Sequence, residues 1–545
     1  MQSDLLYFDA FTRIGPRPRK HPAHAWKLSE VMEEMDHCSI SGALVASTQS
    51  VSYDLMHSNL ELSAWLKPYS HLFPIWNVMP HQTGEFPEPK KLARFMREHE
   101  VRAVTLYPKA NAWDWQADHS QILLNWLEQQ RVLALVNRDE FGQFSEFDAF
   151  LLRHPRLPVL LMGAGWHEQR LVVPLLLKHR NLHIAFDRFQ IHYGIEHLWS
   201  LGLGKQLIYG SNAPLMSMGA HRCYVDYAEI PFDGRQQVAS GNLVRLLGGQ
   251  RPPRLRTNLS EDAIMTAARH GKPLPIPVID MHMHILHEGM NGAGGLHRME
   301  RGGPQGVFHL LRRLGVRGGG FMSWNGVVSC DSLAGNECVK EALNAAPQGY
   351  WGLGSFDPTH YTQEELGRVI PELYRDRRFI GMKPYVQYGV EYHHSSYDAW
   401  WKYGNRHGLY ALIHRNRADF LEVDTLAKKY PRVRWVVAHC GSDFKTADLA
   451  IESIQKHPNV YAEITLTPVT FGIIDYLVQH AGADRVVYGS DLPMRDPRQQ
   501  LGWVVYSRLP VAEKNMVLWK NAMRIVQPCK QRLPSYNRPC LRTLT

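Results

Sequence analysis

The segment 278–286, VIDMHMHIL, sets Asp280, His282 and His284 two residues apart among apolar neighbours. A strand of period two turns all three toward one face, and two imidazoles meeting there form a chelate for a divalent metal. Core histidines satisfied by hydrogen bonds are the plainer reading of such a pair. Three further residues weigh against it. His414 follows LYALI, His439 follows RWVVA and Asp491 follows RVVYGS, each at the end of a short apolar run. If those runs are parallel strands of one barrel, their ends converge, and distant residues build one site without any local spacing rule.

The elements that must position these residues recur along the chain. In the second half, strands are expected to begin near Val278, Gly318, Tyr350, Ile380, Tyr410, Arg434, Val460 and Arg485, separated by segments of helical period. Eight such units in roughly 250 residues predict a (β/α)₈ barrel. The first half reads the same way, its opening strand followed by ISGALVAS, HLFPIWNV, VRAVTLYP, RVLALVN, LPVLLMG, LHIAFD and QLIYGS. The halves are copies of one another. LLYFDAFTRI (5–14) aligns with PVIDMHMHIL (277–286), LALVNRDE (133–140) with YALIHRNR (410–417), LIYGSNAPLM (207–216) with VVYGSDLPMR (486–495), and GNLVRLL (241–247) with KNAMRIV (520–526). The expected fold class is α/β, with two tandem TIM-like barrels at 1–250 and 276–527, a linker at 251–275 and a tail at 528–545. Within the linker Ser260 is the expected N-cap of a short helix, with Glu261 and Asp262 in its first turn. The tail, with Lys530, Arg532, Arg538 and Arg542, reads as a surface extension or packing arm. The Gly-rich stretch 287–306 reads as a lid or access loop, or equally as plain surface.

The composition sets the outer bounds. The 545 residues are 44% apolar and 21% charged, with 42 Gly and 33 Pro dispersed, so collagen, disorder and coiled coil are excluded. No apolar run approaches the roughly 18 residues of a membrane span, and the opening residues lack the order of a signal peptide. A cytoplasmic protein with no membrane partner is expected. The seven cysteines are scattered and never form C-x-x-C, which argues against disulfides and thiolate zinc, so any metal must use histidines and carboxylates. The net charge of +9 is dispersed and no nucleic-acid motif is present, which points to an anionic small molecule as partner and away from nucleic acid.

Over most of 276–527 the sequence resembles the amidohydrolase superfamily, in the amidohydrolase-related branch that contains small lactonases and aminocarboxymuconate-semialdehyde decarboxylase-like enzymes. IDMHMHIL, LIHRN, VVAHCGS, YGSDLPMRDP and WKNAMRIV carry the likeness. The resemblance implies that His282, His284 and His414 ligate one divalent metal with Asp491 as the remaining contact. Zn²⁺ is the expected ion, with Mn²⁺ or another transition metal also accepted by this donor set. Asp491 and His439 are the implied catalytic groups, Asp491 carrying a proton and His439 serving as acid/base or as ligand to a second ion. The implied reaction is hydrolysis of a small carboxylated or cyclic substrate (lactone, ester or amide) by a metal-activated water. The alternative is metal-dependent, non-oxidative decarboxylation of an unsaturated or aromatic acid. A non-catalytic scaffold or binding protein is a further alternative. Lys383, in FIGMKPYV, resembles the pocket-lining lysine of mononuclear relatives more than a carboxylated bridging lysine. Arg415, Arg417, Arg495, Trp324, Tyr385 and His287 follow expected strands and are candidates for substrate contact, each also readable as a loop residue. His393 and His394 fall outside the strand pattern and read as surface.

The internal alignment tests the first copy. His282 aligns with Phe11, His284 with Arg13, His414 with Asn137, His439 with Gly163, Asp491 with Asn212 and Lys383 with Thr105, while Asp9 alone matches, opposite Asp280. Phe and Gly cannot bind a metal and an amide is a weak ligand, so the first barrel is expected to be a metal-free pseudo-domain. Because related enzymes pair as homodimers, the resemblance also implies intramolecular pairing of the two barrels, with a homo-oligomer as a further possibility.

Overall fold

Short apolar runs rich in Val, Ile, Leu and Ala suit strands buried on both faces, which helices must cover. The chain uses sixteen of them in two parallel eight-stranded sheets, each in sequence order. The computed structural model describes residues 4–18, 21–252, 260–293, 297–414 and 420–531. The chain divides into units of 1–261 and 262–545.

In the first unit the strands are Phe8–Ile14, Gly42–Ser47, Leu72–Val78, Ala103–Leu106, Leu133–Asn137, Val159–Met162, Leu182–Ala185 and Leu207–Ile208. In the second they are Val278–Ile285, Val316–Ser323, Tyr350–Gly354, Phe379–Met382, Tyr410–Ile413, Arg434–Val437, Val460–Glu463 and Val486–Val487. Each sheet closes where its first strand meets the turn after its last. Ala10 N donates to Tyr209 O (3.1 Å) and Arg13 N to Ala213 O (2.8 Å). In the second unit Met281 N donates to Tyr488 O (3.0 Å) and His284 N to Leu492 O (2.7 Å). The result is two tandem (β/α)₈ barrels, as the repeat predicted.

Each barrel has its own interior. In the first, Phe8, Leu44, Ile75, Leu133, Leu160 and Ile208 are among the residues that meet. In the second, Ile279, Trp351, Tyr410, Val436 and Val487 meet, and Ala522, Ile525, Val526 and Cys529 of the closing helix join them. An asparagine anchors each closing helix to the last strand. Asn242 Nδ2 donates to Gly204 O and Leu207 O at 2.8 and 2.9 Å, and Asn521 Nδ2 to Ala483 O and Val486 O at 2.7 and 2.8 Å.

Two expectations need correction. The helix after the join is Ala263–Arg269, and its N-cap is Asp262, whose side chain accepts from Ile264 N and Met265 N, so Ser260 lies outside the helix. A carboxylate two residues nearer the helix satisfies both amides, and Lys514 Nζ holds it at 2.6 Å. The tail does not begin as an extension, because the closing helix runs through Asn521–Gln531 and buries Cys529. The tail residues beyond 531, Arg532, Arg538 and Arg542 among them, lie outside the described residues. Within 287–306 a two-stranded ribbon pairs Gly292–Ala293 with His297–Arg298. No helix among the described residues is long and apolar enough to cross a membrane.

Candidate metal centre

All eight residues of Val278–Ile285 are buried, so its polar residues can be satisfied only by the barrel interior and the loops at its mouth. Asp280 is spent on the scaffold: its Oδ1 accepts from His282 N (3.1 Å) and Ser490 N (3.0 Å). His282 and His284 are 1% and 2% exposed. The turn after Val486–Val487 brings Asp491 to them through a left-handed backbone (φ 57°), with Asp491 N donating to His282 O at 2.7 Å. Asp491 Oδ1 then lies 3.1 Å from His284 Nε2 and 3.5 Å from His282 Nε2.

A fourth group completes this arrangement. Glu463, at the end of Val460–Glu463, places Oε2 3.2 Å from His282 Nδ1 and accepts from His439 N (3.2 Å), while Thr465 N (2.8 Å) and the Thr465 hydroxyl donate to Oε1. A carboxylate on Nδ1 puts the imidazole proton there and leaves the Nε2 lone pair facing Asp491 and His284. This is the second-layer device that orients metal-binding histidines. Gly489 makes the contact possible, because a Cβ there would run into Glu463 Oε1 and stand 2.7 Å from His282 Cβ. Glu463 is absent from the expected site residues, although an acid at the end of an apolar run is the signal that singled out Asp491.

Burial, reinforced by Lys383, pushes His282 well below the usual imidazole range. Burial also lowers His284 against the pull of Asp491. Neutral rings with free lone pairs are what a metal requires. Burial alone would raise Asp491, but Arg495 with His282 and His284 outweighs it and holds the carboxyl well below its ordinary range. His284 Nδ1 is buried without a partner.

His439 and His414 sit beside this group. His439 Nδ1 is 2.6 Å from Thr465 O, a carbonyl that can only accept, so its proton is on Nδ1 and Nε2 is an acceptor 3.1 Å from His414 Nδ1. Two sets of potential ligand atoms lie within 4.8 Å of one another among the described residues. They are His282, His284 and Asp491, and His282, His439 and Glu463. His414 belongs to neither set, and its closest ring partners are His439 (4.7 Å) and Tyr385 (4.9 Å).

The remaining candidates separate. Lys383 is fully buried, with Nζ 3.5 Å from His282 Nε2, and burial pushes its amine down to about 8. Arg495 is committed to the site itself: its guanidinium pairs with Asp491 Oδ2 and donates from Nε to Thr467 Oγ1 at 2.6 Å. Trp324 packs between His284 (5.3 Å) and His297 of the ribbon (5.4 Å), and Tyr385 lies beside Lys383. His287 is exposed and bonded to Glu341, and His393 and His394 are exposed. Arg415 and Arg417 lie outside the described residues.

The donors fit a divalent cation. They are two buried imidazoles and one carboxylate oxygen already close together, a nitrogen and oxygen set that suits such an ion.

Residues 279–527 match the model of a family described as amidohydrolase. No curated protein matches the sequence. Among solved structures the chain is similar to a dihydroxybenzoic acid decarboxylase from Polaromonas sp. JS666 with bound manganese and 2-nitroresorcinol (14% identity, 46% of this chain, 97% of that chain, TM-score 0.35). It is also similar to a 5-carboxyvanillate decarboxylase from Sphingomonas paucimobilis (15%, 46%, 99%, 0.35). A third is a candidate 2-pyrone-4,6-dicarboxylic acid hydrolase from Pseudomonas putida (16%, 47%, 99%, 0.39).

Proposed function

We propose that the second barrel, whose residues 279–527 match the model of the amidohydrolase family, hydrolyses a small, carboxylated or cyclic substrate (a lactone, ester or amide) at its mouth. The observation that carries this is the convergence of His282 Nε2, His284 Nε2 and Asp491 Oδ1, with Glu463 fixing the His282 tautomer. A divalent ion bound there activates water and polarises a carbonyl. His282, His284 and Asp491 are its proposed ligands, and His414 would join them only after its ring turns away from His439. Zn²⁺ is the proposed ion, with Mn²⁺ meeting the same donor set.

The chain's own residues supply positioning and proton transfer. Arg495 fixes Asp491 by Oδ2, and the Asp491 carboxylate would take a proton from the attacking water and return it to the leaving group. His439, protonated on Nδ1, offers Nε2 as a proton acceptor. Lys383 provides a buried amine for a substrate carboxylate or oxyanion, and Trp324, packed against His284 and His297, would cover one side of the site.

Ring opening of carboxylated lactones should be measured beside carbon dioxide release from unsaturated and aromatic acids, with the same protein and added metal. Lactone or ester turnover that vanishes in Asp491→Asn supports the proposal. Carbon dioxide release without ring opening would replace it with the decarboxylase reading.

A further inference from the structure

At the opposite end of the first barrel a basin of about 1350 Å³ is lined by residues from the turns that lead into the strands. Its wall carries Arg97, Arg102, Arg131, Arg180, Arg245 and Arg251, and Glu100 is the sole carboxylate among its described lining residues. None of those six makes an ion pair with a carboxylate among the described residues. Arg102 and Arg245 donate instead to the carbonyls of Leu247 and Lys205. A seventh, Arg156, is 3.8 Å from Glu128. On the floor, His183 is 3% exposed, with both ring nitrogens unpaired.

Helix C-termini attract cations, and some of these arginines close helices. The second barrel shows how such cations are otherwise neutralised. At its corresponding turns Arg378 pairs with Asp376, and both Arg485 and Arg524 pair with Asp484. Arg245 is the counterpart of Arg524 in the repeat, and Lys205 stands where Asp484 would pair with it. The floor also differs. The second barrel's closing helix continues to Gln531 and buries Cys529 beneath the strands. The first barrel's stops at Leu246, where Gly248 (φ 64°) and Gly249 (φ 92°) turn the chain away.

We propose that this basin in the first barrel binds a small anion carrying a chain of phosphate groups, free or as part of a nucleotide. Guanidiniums bind phosphate oxygens in pairs through their planar fork. Cations drawn from several successive turns suit an extended polyanion better than a single phosphate. Concentrating like charge in a concave wall focuses the potential on such a ligand and leaves the empty protein with repulsion that binding relieves.

Calorimetric titration of the full chain with inorganic triphosphate and, separately, with ATP at low salt tests this. One saturable site is expected, weakened at least about 100-fold in the double variant Arg131→Glu, Arg180→Glu, on the order of tenfold for each charge-assisted contact. Lys67→Glu, elsewhere on the surface, should leave it unchanged. Equal affinities identify the phosphate chain as the part recognised, and tighter ATP identifies nucleotides as the source. Absence of saturable binding, indifference to the double variant, loss of binding in Asp491→Asn (triphosphate held at the second barrel instead), or binding of single-stranded RNA but not triphosphate would overturn the assignment.

Discussion

Asp9 in the first barrel and Asp280 in the second perform one task. Each Oδ1 accepts from the N–H two residues on and from the N–H of a serine after the last strand, Phe11 and Ser211 in one case, His282 and Ser490 in the other. Asn212 and Asp491 share a left-handed backbone at φ 60° and 57°, and Gly163 and His439 share another at 72° and 67°. The backbone conformations that hold Asp491 and His439 thus recur at Asn212 and Gly163, tolerated at 212 because Asn adopts this region readily. Between the two copies the side chains at the centre have changed. Strand pairing sets Ala185 at the place of Glu463. The amide of Gly163 donates to Asp187 Oδ1 (3.0 Å), an acid launched two residues further on, with no imidazole for it to orient. Arg13, at the place of His284, stacks its guanidinium 4.8 Å from the Phe11 ring. A (β/α)₈ mouth therefore keeps its backbone geometry while the side chains it presents change.

The largest contrast should come from the ligands themselves. His282→Ala or Asp491→Asn should weaken metal binding by more than about 100-fold, beyond the range for an outer-layer partner, and reduce turnover to background. Asn212→Ala should change neither. Metal content after dialysis, read by mass spectrometry beside the activity assay, decides this. An ion that survives Asp491→Asn but is lost in Asn212→Ala would invert the comparison.

Glycine substitutions come next. Gly489→Ala drives a methyl into Glu463 and His282, and metal affinity should fall by about 100-fold as both groups move. In Gly210→Ala the nearest atom is Ala185 Cβ at 3.1 Å, so a small shift accommodates it and the melting midpoint should barely change. Equal damage at the two positions would mean that the loss of the Glu463 layer is not what separates the barrels. A smaller effect, about 10-fold in affinity by competition with a chelator, is expected for Glu463→Gln, which keeps an acceptor but removes the charge. Unchanged affinity would leave Glu463 a purely structural residue.

Strands and their order were legible because apolar runs, turn residues and the repeat all pointed the same way. His282, His284, His439 and Asp491 were legible because polar side chains at the ends of apolar strands are costly unless they meet. Glu463 carried the same signal, but Ile464 extends its apolar run and nothing in the motif draws attention to it. The Asp262 cap competed with Ser260, a cap of equal propensity, and only hydrogen bonding decides between them. For Arg495, a position four after Asp491 says nothing about whether the side chain turns toward solvent or back onto that carboxylate, and only the structure shows the pair with Asp491. The open basin depends on where one closing helix stops, which two glycines announce but cannot size.

The smallest effect concerns the pair that both barrels keep. Burial raises Asp9 to about 7, with the Ser211 hydroxyl and the amides of Phe11 and Ser211 pulling it down, and burial raises Asp280 to about 8. For Asp9, the folded chain holds its proton more tightly than the unfolded one. The unfolded carboxyl ionises from about pH 4 while the native one stays protonated to about 7. Stability from this group is therefore complete below pH 4, falls as pH rises through that window, and levels off above 7, with a slope of at most about 1.4 kcal/mol per pH unit. Asp9→Asn imitates the protonated carboxyl: its oxygen keeps the two amide donors and its NH₂ faces Ser211. Denaturant titrations at pH 5 and pH 8 should show the variant gaining on the parent chain at the higher pH, without loss of bound metal. A parallel pH dependence in the two proteins would mean that Asp9 is already ionised at pH 5, and that the resemblance between Asp9 and Asp280 is one of geometry without shared protonation.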